Sequence, residues 1–178
     1  HRPNRRQRQM CIRDSLLVEP EDGFKKLMET FDLERCGNAT MALAQASAAL
    51  EYVTNYVQER EQFGKPLVDF QAVQIKLADM LMKVEAARLL IHKAAFNAQN
   101  GLPDILESST AKCFSNEMSR EVTTTAMQLM GGYGYNKEYG MERRVRDAFG
   151  WGIAGGTIDI QKINIASAMI GRRFNQRN

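Results

Sequence analysis

The chain has 178 residues, 44% hydrophobic and 25% charged, the balance of one globular domain with a real core and not of a disordered or fibrous chain. Its apolar residues come in bursts broken by Lys, Arg, Glu or Gln, and no run nears the roughly 18 apolar residues of a membrane span, so the chain reads as soluble, without a membrane partner. The net charge of +3 arises in residues 1–15, where Arg2, Arg5, Arg6, Arg8 and Arg13 face Asp14 alone, a local +4 that leaves −1 elsewhere; a near-neutral body gives no electrostatic case for nucleic acid.

After residues 1–15, Leu16–Glu19 reads as a short strand-like remnant, and Pro20-Glu-Asp-Gly23 has the turn chemistry of a connector. A helix is predicted from about Phe24 to Gln58, with Gly37 its weak point and a run of small residues after Thr40 that suits packing on several sides. A second runs from about Asp69 to Asn100, its apolar residues Phe70, Val73, Leu77, Met80, Leu81, Val84, Ala87, Leu90, Ile91 and Ala94 recurring on one face. Gly101-Leu-Pro103 ends it. Asp104 is the predicted N-cap of a third helix reaching Met130 through Ala111, Phe114, Met118, Val122, Ala126 and Leu129. Gly131-Gly-Tyr-Gly134 stops that one, and helices over about 141–148 and 158–174 complete an all-α, up-down bundle over residues 24–178.

Cys11, Cys36 and Cys113 are odd in number and widely spaced, which suggests reduced thiols and neither a disulfide frame nor a zinc site. With only His1 and His92, there is almost nothing from which to build a histidine-based triad or metal centre.

Four segments carry a more specific signal: Phe31-Asp-Leu-Glu-Arg35; Glu59-Arg-Glu-Gln-Phe-Gly-Lys-Pro66 with Phe70-Gln71; Gln128-Leu-Met-Gly-Gly-Tyr-Gly134; and Arg146-Asp147 leading to Gly155-Gly-Thr-Ile-Asp-Ile-Gln161. In type and order they resemble the C-terminal helical domain of the acyl-CoA dehydrogenases, over about residues 16–177. Since that places the chain inside a longer protein, residues 1–15 are read as a non-native leader and 16–23 as the end of a preceding β-domain with its connector.

The resemblance implies FAD as cofactor. Arg60, Gln62 and Phe63 would reach the FAD of a neighbouring subunit, the arginine fork suiting its diphosphate. Phe70 and Gln71 would touch cofactor too. Gln128, Gly131 and Gly132 would hold its adenosine half, glycine allowing close backbone approach. Thr157, Ile158 and Asp159 would present a helix N-terminus near flavin and thioester. Asp32 and Arg35 would contact the acyl-CoA pantetheine, and the Gly155-Gly156 backbone would bind the thioester.

Most members place the catalytic glutamate where this chain has Gly155. In the isovaleryl- and long-chain-type branches the base comes from the first helix, at the position Glu34 fills. The resemblance thus implies α,β-dehydrogenation to a trans-2-enoyl-CoA with Glu34 as base. That role requires Glu34 to be partly desolvated between flavin and substrate, so that it both accepts and retains a proton near neutral pH. Gly155 keeps the backbone N–H that polarises the thioester. Electrons would pass to an electron-transfer flavoprotein, and the enzyme would form a homodimer or homotetramer, in bacterial cytoplasm or, in a eukaryote, the mitochondrial matrix. Lacking the N-terminal helices and β-domain, this chain alone would be inactive. Two alternatives stand beside this reading. One is a base-free relative, such as a 3-sulfinopropanoyl-CoA desulfinase or a reductase; the other is a helical oligomerisation module without enzymatic activity.

Overall fold

The computed structural model describes residues 20–98, 101–172 and 174. The leader and the strand-like segment 16–19 lie outside these. Among the described residues the elements are α1 (Pro20–Glu59), a minimal antiparallel hairpin of β1 (Glu61–Gln62) and β2 (Lys65–Pro66), α2 (Gln71–Phe96), α3 (Ile105–Met130), a single helical turn α4 (Gly132–Tyr135), α5 (Met141–Trp151) and α6 (Ile158–Ile170). The predicted all-α bundle is therefore the observed one.

Residues 20–23, read as a connector, are instead the first turn of α1. Proline is tolerated at the first helical position, where its missing N–H costs nothing, and acidic residues favour a helix start, so the same composition serves either role. The exposed Gly37 does not interrupt α1. Asp104 caps α3 as predicted, its side chain accepting from Leu106 N at 2.8 Å and Glu107 N at 3.4 Å. The final helix stops at Ile170, short of the predicted 174, because Gly171 takes a left-handed φ of +74° and closes it.

α3 is the central element. It packs against α1 most extensively and also meets α2, α5 and α6. Ala39, Ala42, Ala46 and Ala49 are wholly buried on α1, and their small side chains let the two backbones approach. The core is completed by Val53 and Val57 of α1, Met80, Val84 and Ile91 of α2, Met118 and Val122 of α3, and Met141 of α5. The predicted apolar faces of α2 and α3 are the ones that pack, with one exception: Leu81 is mostly exposed. α3 also buries a polar stripe, Ser108, Lys112, Ser115, Asn116, Ser119 and Thr123, which apolar periodicity alone does not find.

α4 is held against the end of α3 by a close approach at Gly134. A Cβ there would lie 2.6 Å from the Met127 carbonyl oxygen and 2.9 Å from Met130 Cβ. Gly134→Ala should destabilise the fold by about 1–3 kcal/mol through overpacking, measurable as a lower denaturant midpoint with an unchanged slope.

Candidate functional site

The predicted site residues fall into two groups at opposite ends of α3. Lys112 and Gln128, which mark the two ends, are sixteen positions apart, about 24 Å along a straight helix.

The first group surrounds a cleft of about 500 Å³ between the end of α1 and the α3–α4 junction, and it brings together Arg60, Gln62, Gln128, Gly131 and Gly132. Gly131 has a φ of +60°, and a Cβ at either glycine would project into open space. The Arg60 guanidinium lies 5.4 Å from the Tyr133 ring centroid, and Tyr133 packs edge-on against Tyr139 at 5.1 Å. Tyr56 also lines the cleft and donates its hydroxyl to the Met130 carbonyl at 3.4 Å. Burial raises its pKa above the ordinary tyrosine value, so it stays a neutral donor. Sequence reading missed Tyr56 and Tyr133.

Phe63, Phe70 and Gln71 do not line this cleft; Phe63 sits at the tip of the neighbouring hairpin, and Phe70 and Gln71 stand at the start of α2. Gln62 pairs with Lys65 across the two-residue turn Phe63-Gly64, where both φ values are positive, +55° and +78°. Such a turn matches the twist of a tight hairpin, but it prefers Asn or Asp where Phe63 stands. A phenylalanine in left-handed conformation costs about 1–2 kcal/mol, and this one is 92% exposed at the tip. Among the described residues its aromatic neighbour is Phe70, edge-on at 6.3 Å, whose ring in turn sits 4.3 Å from Lys65 Nζ. Gln71 opens α2 and is exposed. A strained, solvated aromatic is suited to a surface outside the chain.

The second group lies where the middle of the first half of α1 meets the α5–α6 loop. Glu34 and Gly155, 121 positions apart in the chain, are in contact: a Cβ on Gly155 would lie 2.6 Å from Glu34 Oε1 and nearer still to Oε2. Gly155 has a φ of +63° and Gly156 one of +90°. The Glu34 carboxylate thus fills the space a side chain at 155 would need. Glu34 is exposed in this chain, so the desolvation its predicted role requires has to come from groups outside it.

Around this contact, Asp32 is ion-paired with Arg35, one turn on, and accepts from Ser108 Oγ at 3.1 Å. Burial raises the Asp32 pKa, with Arg35 and Ser108 opposing the rise. Both residues border a groove of about 720 Å³ between α1 and α6, flanked by Phe24, Met28 and Ile163. Arg35 Nε finds no acceptor among the described residues. Thr157 is the N-cap of α6, its hydroxyl accepting from Ile160 N at 3.5 Å; the Ile158 side chain is buried, and Asp159 is exposed in the first turn. What this segment offers a ligand is therefore backbone, the Thr157 hydroxyl proton and Asp159. Gly156 turns its carbonyl to the buried Gln161, whose Nε2 donates at 3.1 Å.

Among the described residues no helix is long and apolar enough to cross a membrane, and no cluster of three or more His, Cys, Asp or Glu could hold a metal ion.

Comparison with known proteins matches residues 21–170 to the family described as acyl-CoA dehydrogenase, C-terminal domain. The chain is 38% identical over 173 residues to the 3-sulfinopropanoyl-CoA desulfinase of Cupriavidus necator, covering 95% of this chain and 44% of that protein. It resembles the solved structure of butyryl-CoA dehydrogenase from Megasphaera elsdenii with a TM-score of 0.81 at 44% identity, over 84% of this chain and 39% of that one. A structure from work on the electron transferring flavoprotein of Acidaminococcus fermentans matches at the same TM-score of 0.81 and 43% identity, over 84% and 39% of the two chains. The chain thus spans 39–44% of the length of these relatives.

Proposed function

This chain belongs to the acyl-CoA dehydrogenase family as its C-terminal domain, and from that premise we propose that the protein carrying it dehydrogenates an acyl-CoA to the trans-2-enoyl thioester, with Glu34 as base. One observation carries the proposal: the Glu34 carboxylate occupies the place from which a side chain at residue 155 would act. A base must reach the substrate α-proton, and a carboxylate delivered from α1 to that spot replaces one delivered from the α5–α6 loop.

The residues present fit FAD. The cleft pairs a cation, Arg60, and an aromatic, Tyr133, with glycines that leave room for close backbone contact. Arg60, Gln62, Gln128, Gly131 and Gly132 would hold one FAD there, with Phe63 at the hairpin tip and Phe70 and Gln71 at the start of α2 packing on it, and the first turn of α6 at Thr157, Ile158 and Asp159 would border the flavin of a second FAD beside Glu34. FAD supplies the acceptor for the substrate β-hydride. The chain's own residues do the rest: Glu34 removes the α-proton, the Gly155 N–H draws charge onto the thioester oxygen, Gly156 keeps the backbone low beside it, and Asp32 and Arg35 line the approach of the CoA arm.

The two groups meet α3 at positions about 24 Å apart along the helix, and we read one chain's hairpin and cleft as serving a different cofactor from its own Glu34. That arrangement calls for a homo-oligomer, dimer or tetramer. The surface supports it: Ile75, Met82, Leu89 and Phe96 form an exposed apolar stripe at seven-residue spacing along α2, next to a groove with α1 bordered by Leu50, Leu77 and Leu81. The likeness to the Acidaminococcus structure supports an electron-transfer flavoprotein as redox partner.

A second reading is favoured by the 38% identity to a desulfinase. Desulfination of 3-sulfinopropanoyl-CoA breaks a C–S bond without removing an α-proton, so Glu34 would be idle. Mixing the full-length, FAD-loaded protein anaerobically with short straight and branched acyl-CoAs separates the two. Enoyl-CoA formation is the expected result; sulfite release from added 3-sulfinopropanoyl-CoA, with no enoyl-CoA formed from any of the other acyl-CoAs, would establish the second.

The hairpin provides an independent check. Phe63→Asn creates Asn-Gly, the preferred pair for this turn, and should relieve about 1 kcal/mol of backbone strain, raising the Tm of the apoprotein. The same change should weaken FAD retention. Gains in both, read by calorimetry and flavin titration, would remove Phe63 from the cofactor site.

A further inference from the structure

Among the described residues Lys112 is the largest fully buried side chain, 1% exposed, and no carboxylate is ion-paired with it. Its ammonium donates to the Ala154 carbonyl at 2.7 Å, to Asn38 Oδ1 at 3.2 Å and to the Trp151 carbonyl at 3.5 Å. Asn38 is fixed in turn: Asn116 Nδ2 donates to its oxygen at 2.9 Å, and its own Nδ2 donates to the Ala154 carbonyl at 3.4 Å. Two donors from two helices thus converge on one peptide oxygen. The titratable groups facing Lys112 are Glu34 and Arg35 of α1 and Cys113 of its own helix; burial lowers its pKa from the usual lysine value, and the Glu34 carboxylate opposes that fall.

The Ala154 carbonyl and the Gly155 N–H belong to the same peptide unit. Because that unit is planar and trans, its C=O and N–H point in opposite directions. Anchoring the oxygen into the core therefore turns the N–H away from that anchor, at the residue whose Cβ position the Glu34 carboxylate occupies. No backbone or side-chain acceptor among the described residues receives that N–H. A cationic donor on the oxygen also polarises the amide, and a polarised amide donates a stronger hydrogen bond.

We propose that Lys112 is a positioning residue: through the Ala154 carbonyl it aims the Gly155 N–H at the substrate thioester oxygen and strengthens that N–H as a donor. This rests on the reading of the site as one for acyl-CoA. Lys112 never touches the reacting atoms. Its action grows as negative charge builds on the thioester oxygen, so it bears on the chemical step more than on binding.

The test uses the full-length, FAD-loaded protein, its Lys112→Met variant, and a short trans-2-enoyl-CoA carrying 13C at the thioester carbonyl, which binds without turning over. Isotope-edited infrared difference spectra report how far the carbonyl stretch falls on binding. The wild type should show a clear fall and Lys112→Met less than half of it, while kcat with the saturated substrate drops about tenfold and KM stays within about twofold. If Lys112→Met does not hold FAD, Lys112→Gln, which keeps a neutral donor in place, should give an intermediate fall. Equal falls in wild type and a folded variant would overturn the role of Lys112 while leaving the acyl-CoA reading intact. No fall in the wild type would overturn both.

Discussion

Glu34→Gln in the full-length protein should lower kcat for acyl-CoA oxidation by about 10²–10⁴-fold, the usual worth of a positioned general base, while FAD stays bound. Glutamine keeps the size and hydrogen-bonding shape of glutamate, so little else at the contact with Gly155 changes. The residues assigned to FAD are spread over the hairpin, the cleft and α6, and none is in the α1 segment 32–35 that carries Glu34. Loss of flavin along with activity would therefore assign Glu34 to the integrity of the fold. Undiminished kcat would move the function to the base-free reading.

Gly155→Ala should be nearly as damaging, for a reason only the structure shows. The added Cβ would lie 2.6 Å from Glu34 Oε1, at a φ of +63° that L-residues avoid. The backbone N–H remains, so thioester binding is expected to survive. The carboxylate must move away, and a displacement of about 1 Å at a reacting group costs on the order of 10²-fold in rate. The left-handed conformation adds about 1–2 kcal/mol of destabilisation, visible as a lower Tm. An alanine variant with wild-type kcat would show that Glu34 does not work from beside residue 155.

Much of the fold could be read from the chain because its long helices obey simple rules. The i, i+3, i+4 rhythm of Val73, Leu77, Met80, Val84, Ala87, Ile91 and Ala94 locates the packed face of α2, and Asp104 marks the start of α3 by the hydrogen bonds its carboxylate can accept. What escaped were features that break those rules. Phe63 in a left-handed turn runs against conformational preference, so the hairpin at 61–66 has no propensity signal. Lys112 looks like a surface charge on α3. The one available hint is that Ser108, Lys112, Ser115 and Ser119 repeat at helical spacing, a small polar stripe parallel to the apolar one, as expected of a helix enclosed on several sides. Leu81, counted in the core by its spacing, is left exposed beside the α1–α2 groove, where a second copy of the chain would cover it.

The candidate site divides in the same way. Arg60, Gln62, Gln128, Gly131 and Gly132 were named from separate motifs, and they meet in one cleft. The encounter of Glu34 with Gly155 depends on how α1 crosses the α5–α6 loop, and no local pattern encodes that crossing. Thr157 caps α6 by accepting from Ile160 N, which leaves its exposed hydroxyl free to donate. Arg35 is paired with Asp32, and its buried Nε has no acceptor among the described residues.

The most direct test follows flavin absorbance when the full-length protein and its Glu34→Gln form are mixed anaerobically with an acyl-CoA, once with hydrogen and once with deuterium at the α-carbon. With Glu34 as base, the wild type should bleach rapidly, and more slowly with the α-deuterated substrate, while the FAD-loaded variant should not bleach over the same period. Bleaching that is indifferent both to deuterium and to the loss of the Glu34 carboxylate would contradict that role.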